Sequence, residues 1–232
     1  MPVGSAVAAS GTGYVRRVTS LGPSSTMRRL AIGGIVGPSA FITAWAVGAL
    51  TNDRQLSAID DAISQLAHVE SNTRWLMSAG FVTFGVGVGL FAVSARSTLG
   101  APTAAFLGAT AASTSAVALL PLGSSDMVDQ LHGIAAAAGY VTLVAAPLAA
   151  RGSLRRLGAH RLASAGVAAA AVAAVSLGAS LALPTTGAFQ RLGLTVVDAW
   201  IITTATLLAT GRLDLRFRAW MSVPNTPGSS RR

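Results

Sequence analysis

The chain has 232 residues, of which 52% are hydrophobic and only 11% charged, against roughly a quarter charged in soluble domains. Its 17 basic residues are all Arg and outnumber 8 acids, giving a formal net charge of +9. It has no Cys, which excludes disulfides, thiolate metal sites and cysteine nucleophiles.

The apolar residues come in blocks of about twenty, the length that crosses a bilayer. The expectation is therefore an all-α fold: a polytopic membrane protein built as a bundle of six transmembrane helices. Residues 1–27 are polar, carry Arg16 and Arg17, and lack the apolar core and cleavage site of a signal peptide. They read as a disordered tail, with Met27 an alternative start. The six-span domain covers 28–212, with spans at 30–50, 75–94, 103–122, 132–150, 164–183 and 192–211. A basic tail, 213–232, follows. The longest internal loop, 51–74, places Leu56, Ile59, Ile63 and Leu66 at helical spacing, and Ser57 with Asp60 has the form of a capping box. A short external amphipathic helix over 58–69 is expected there, lying as a lid across the bundle mouth.

Positive loops stay in the cytoplasm. The two tails and the loops after spans two and four hold fourteen Arg; the opposite loops hold only Arg54, Arg74 and Arg191. Both termini are thus expected in the cytoplasm of a bacterial plasma membrane, the Ala-, Gly- and Arg-rich composition pointing to a GC-rich bacterial genome. The arginines serve this topology, so no nucleic-acid partner is expected; membrane lipids are, and a homo-oligomer is compatible with only six spans. Gly33-x-x-x-Gly37 and Gly85-x-x-x-Gly89 can bring spans one and two into close contact, and Pro38 and Pro147 are kink points.

Two constellations carry chemistry. The first is Asp126-Met-Val-Asp129-Gln-Leu-His132 at the start of span four. Asp126 suits an N-cap and Asp129 the first turn, where both meet the positive end of the helix dipole. His132 is three residues beyond Asp129 and shares its face, so the pair has the form of a base and its orienter. A zinc site needs a third protein ligand, which only His68 or the lid acids could offer, so no metal is expected. The second is Asp198, about two turns inside span six, where a carboxylate costs about 3 kcal/mol on insertion scales. Thr43, Thr83, Ser115 and Tyr140 lie near its depth, and Arg191 is seven residues nearer the surface. A polar pocket is expected in the outer half of the bundle, floored by Asp198 and Tyr140, rimmed by His132 and Arg191, with Thr43 and Ser115 at its level. The plainer alternative is one hydrogen-bonded carboxylate that orders the bundle.

No nucleophile elbow, P-loop or dinucleotide fingerprint occurs, and His68 and His160 sit in opposite loops, so no haem or other cofactor is expected. The leading reading is a non-enzymatic protein that binds a lipid headgroup or small polar ligand in the outer pocket. One alternative is a membrane-embedded lipid hydrolase or transferase using His132 and Asp129; another is a proton-coupled transporter using Asp198.

The stretches Gly33-Gly-Ile-Val-Gly-Pro-Ser39, Asp61-Ala-Ile-Ser-Gln-Leu-Ala67, Arg74-Trp-Leu-Met-Ser-Ala-Gly-Phe-Val82, His132-Gly-Ile-Ala-Ala-Ala-Ala-Gly-Tyr140 and Gln190-Arg-Leu-Gly-Leu-Thr-Val-Val-Asp-Ala-Trp200 together resemble the bacterial membrane family called domain of unknown function 998. The resemblance covers about 28–212 and implies a six-helix integral membrane protein, of a kind prevalent in actinobacteria, with a remoter similarity to DRAM-type proteins. Members of that family often carry an acid before the Arg that opens span six. Gln190 stands at that position here.

Overall fold

The computed structural model describes residues 24–213. Among these all regular structure is helical. Helix α1 (Ser25–Ala31) and helix α2 (Gly33–Thr51) form one segment of 27 residues with a break at Ile32. Five further helices follow: α3 (Arg74–Leu99), α4 (Ala101–Leu119), α5 (Asp126–Arg156), α6 (His160–Ser180) and α7 (Thr186–Ala209). The result is the six-segment all-α bundle expected. The tail expected over 1–27 overlaps α1, which starts at Ser25 with Ser24 as its cap. The rest of that tail and all of 213–232 except Leu213 lie outside the described residues.

Each helix packs on its neighbours in the chain, and α7 closes the ring against α2. α3 shows how the pattern is resolved. Met77, Phe81, Phe84, Val88 and Phe91 are buried, while Val82, Val86 and Val93 face outward. Exposed valines and leucines recur on the other helices too, at Val36, Val141, Val175 and Leu181. A helical bundle with an apolar outer surface suits lipid, because every backbone polar group is satisfied inside its own helix. Five segments are long and apolar enough to cross a bilayer. The sixth, α4, has its hydropathy lowered by Thr103, Thr110, Ser113, Thr114 and Ser115. These hydroxyls need not stay unpaired: Thr103, Thr110 and Ser115 donate back to the carbonyls of Leu99, Phe106 and Ala111, four residues earlier.

The glycines do close the helices together, but in a different pairing from the one the two motifs suggest. Gly33 and Gly37 of α2 pack on Gly87, whereas Gly85 faces Ser115 and Ala111 of α4, and Gly89 faces Ala111. At about 100° per residue, two steps along a helix turn nearly to the other side. Gly87 and the Gly85/Gly89 pair therefore serve opposite neighbours. α5 runs unbroken through Pro147, and α2 through Pro38.

One end of the ring carries Asp53, Asp60, Asp61, Glu70, Asp126 and Asp129 and is called the acidic end here; the other carries the described loop arginines from Arg96 to Arg161. At the acidic end the 52–73 loop lies over the ring. The short helix expected at 58–69 is a turn at 58–60 followed by a five-residue 3-10 helix, Ile63–Ala67, with Ile63, Leu66 and Ala67 buried. The capping geometry forms as read, Asp60 N–H donating to Ser57 Oγ at 3.1 Å. An α-helix does not follow, because its bonds go elsewhere. Ile63 N–H, which would donate to Ile59 C=O, donates instead to Gln190 Oε1 at 3.0 Å, and Ile59 C=O accepts from Ala188 N–H at 2.8 Å. Both groups are claimed by the start of α7. At the next turn, the cap of α5 is Ser125, whose Oγ accepts from Val128 N–H; Asp126 is the first helical residue rather than the cap.

Candidate functional site: a polar cavity beneath the lid

A cavity lies inside the ring under Ile63 and Ser64. Asp198, Tyr140 and His132 all line it, together with Gln190, Thr110 and Thr114. Its apolar wall is formed by Phe41, Phe81 and Phe84, with Phe41 packing edge-on against Phe84 at 5.4 Å between centroids. About 60 Å³ is open to the centres of water-sized spheres, room for roughly four waters.

The residues of the cavity differ in how they are held. Asp198 is 0% exposed, and neither of its oxygens has a hydrogen-bond partner among the described residues. Such a group is costly to keep, since a buried polar atom left unmade forfeits about 1–3 kcal/mol. His132 is also buried; its Nδ1 lies 2.7 Å from Leu120 C=O. A carbonyl only accepts, so Nδ1 carries the proton and donates, which leaves Nε2 of the neutral ring as an acceptor. That Nε2 is buried and has no partner. Beside the cavity, then, lie three buried atoms, both oxygens of Asp198 and Nε2 of His132, with no hydrogen-bond partner among the described residues. Gln190 gives its Oε1 to Ile63 N–H, which leaves its amide NH2 as a donor. Thr110 Oγ1 is 2.9 Å from Thr142 Oγ1, joining α4 to α5 beside the cavity.

Three expected pocket residues stand elsewhere. Arg191 belongs to the lid. Its guanidinium donates to Ala58 C=O at 2.8 Å and Asp61 C=O at 3.0 Å, and sits 5.5 Å from the Trp45 ring centroid. Seven residues is nearly two turns, and the side chain follows the loop above it rather than reaching down to Asp198. Gly187 makes room for this staple, because a Cβ there would meet Asp61 C=O, Ala58 C=O and the Arg191 guanidinium. Thr43 is exposed on the outer face of α2 and bonds Ser39 C=O. Ser115 packs against Gly85 at the α3–α4 contact. The facing direction of either side chain was not readable from sequence.

Nor do Asp129 and His132 form a pair. Asp129 Oδ1 accepts from Gly123 N–H at 2.8 Å, closing the turn before α5, and the group that orients His132 is the Leu120 carbonyl. His68 lies against Gly123 in the same layer, with its Nδ1 accepting from Glu70 N–H. Among the described residues no three of His, Asp and Glu converge as a metal would require. The cavity residues that sequence reasoning passed over are Ser64, Phe41, Thr110, Thr114 and Gln190. Only Gln190 had left a signal, as a neutral residue where the resembling family often has an acid.

A closed ring of long helices with an apolar exterior and a small set of buried polar groups within defines a multi-pass integral membrane protein. This one belongs to the family described as Protein of unknown function (DUF998), whose profile matches residues 35–207. No curated protein and no solved structure matches the chain.

Proposed function

We propose that the protein binds a lipid headgroup or small polar ligand in the cavity beneath the lid, on the outer side of a bacterial plasma membrane, with both termini cytoplasmic. The observation that carries this reading is Asp198, fully buried with both oxygens unpartnered, which lines a cavity together with His132, whose Nε2 is also unpartnered. These unpartnered atoms suit a ligand that brings its own donors, such as an amine or a polyol. The orientation is supported by fourteen arginines against three and by six of the eight acids gathering at the lidded end. Binding is preferred to hydrolysis because Asp129 is engaged with Gly123 and not with the imidazole. A proton-coupled transporter uses the same Asp198 and differs in requiring turnover.

Native mass spectrometry of the purified full chain tests the proposal. Wild type is expected to carry a ligand that Asp198→Asn retains about 10–100-fold less, the equivalent of one charge-assisted bond of about 1.5–3 kcal/mol. Asp198→Leu should lose the ligand and yet melt higher than ligand-free wild type, because about 1–3 kcal/mol of unsatisfied burial is removed. A Leu variant that melts lower, with ligand retained by the Asn variant, identifies Asp198 as a purely structural carboxyl and ends the reading.

A further inference from the structure

A second opening lies against the first. Between α5 and α6 runs a cleft of about 540 Å³ whose walls include His132, Tyr140, Gln190 and Ser64, all four of which also line the central cavity. The two spaces thus share one wall. Asp129, His132, Gln190 and Ser64 gather at the acidic end of the cleft; toward mid-bundle its lining is Val141, Val144, Ala174 and Leu177, with Tyr140 among them. Its rim residues Val141 and Leu181 are 69% and 80% exposed on the outer surface of the bundle, so the cleft opens sideways. From Asp129 to Val144 it follows α5 for about 22 Å at 1.5 Å per residue, against about 15 Å for one leaflet's half of a 30 Å hydrocarbon core.

We propose that the ligand is a membrane phospholipid with an amine headgroup, which enters sideways between α5 and α6 from the leaflet at the acidic end. This rests on the reading that the central cavity holds a polar ligand. One acyl chain lies along the apolar length of the cleft, and the headgroup turns past His132 and Tyr140 into the cavity. The class of headgroup follows from the acceptors. An ammonium group offers three donors and a positive charge to the Asp198 carboxyl, and the cavity's room for roughly four waters suits a short aminoethyl arm. The occupant of the cleft follows from its form, a one-leaflet trough that is largely apolar toward mid-bundle and carries Asp129, Gln190 and Ser64 at the headgroup end.

Two glycines make the cleft separable from the cavity. Gly133 and Gly178 line the cleft alone, and a Cβ at either meets nothing within 4 Å. Gly178→Phe and Gly133→Phe therefore fill the trough without disturbing Asp198. The full chain is reconstituted in phosphatidylcholine vesicles doped with a phosphatidylethanolamine bearing a diazirine in its acyl chain. Irradiation should label the 141–144 and 174–181 segments of wild type. Labelling there should fall about tenfold or more in either Phe variant and in Asp198→Asn. Labelling that is equal in wild type and both Phe variants overturns the lateral route. If soluble phosphoethanolamine binds wild type and Gly178→Phe alike, with no lipid labelling in either, the cavity reading stands and the lipid proposal falls. If Asp198→Asn changes neither lipid labelling nor phosphoethanolamine binding, both fall.

Discussion

Replacing Gln190 with Leu removes the acceptor that holds the lid's 3-10 helix to α7. Ile63 is 2% exposed, and its N–H donates to Gln190 Oε1 at 3.0 Å. With Leu in place that buried donor has no partner, a loss of about 1–3 kcal/mol. The lid keeps its other ties, from Ala188 N–H to Ile59 C=O and from Arg191 to Ala58 and Asp61. The penalty therefore falls on local opening of 62–67 and not on the bundle, raising the open population by roughly 5–150-fold. The chain has no Cys, so Ser64→Cys supplies a single thiol that lines the cavity under the lid. Its maleimide labelling rate should rise by that factor in Gln190→Leu when opening is fast relative to reaction. Gln190→Glu keeps an acceptor at the same place and should label close to the parent rate. Equal rates in the Leu and parent proteins refute the latch, as does a Glu variant that labels as fast as the Leu variant.

Close packing of α2 on α3 gives a second test. A Cβ on Gly87 would lie 2.8 Å from Gly37 Cα and 2.9 Å from Gly37 N, so Gly87→Val is expected to destabilise by about 1–3 kcal/mol through overpacking. Gly108, with nothing within 4 Å, should accept Val with little change in the detergent melting temperature; similar shifts at both positions would refute the packing argument. Orientation is checked with Glu70→Cys and Arg155→Cys, both exposed and at opposite ends. A membrane-impermeant maleimide should label the first on intact cells and the second only after permeabilisation, and the reverse pattern inverts the topology.

What can be read from a sequence differs by direction in the molecule. Position along the bundle axis is a linear quantity, 1.5 Å for each residue, and a count from the helix ends places Asp198 and Tyr140 deep and His132 shallower. Position around the axis is different, because it depends on which neighbour each face meets. Thr43 and Ser115 were expected at the pocket, yet one faces outward and the other faces Gly85. The second glycine motif fails in the same way. Gly85-x-x-x-Gly89 is a real contact surface, but its partner is α4, and α2 meets the unmarked Gly87.

The loop at the acidic end makes the same point with hydrogen bonds. Local signals at Ser57 and Asp60 form the cap they predict. The helix stops there because α7 supplies better-placed partners to Ile59, Asp61 and Ile63, more than a hundred residues away in sequence. By itself, the sequence determined an all-helical bundle of six segments, the segregation of acids from arginines, and the presence of a carboxylate, Asp198, inside a span. Those follow from hydropathy, length and charge, which are additive along the chain. Tertiary structure alone decided that Gln190 latches the lid at Ile63, that Arg191 staples it, and that a cleft opens beside the cavity. Each of these depends on how a helix is turned about its own axis, and that angle is set by the packing of neighbouring helices.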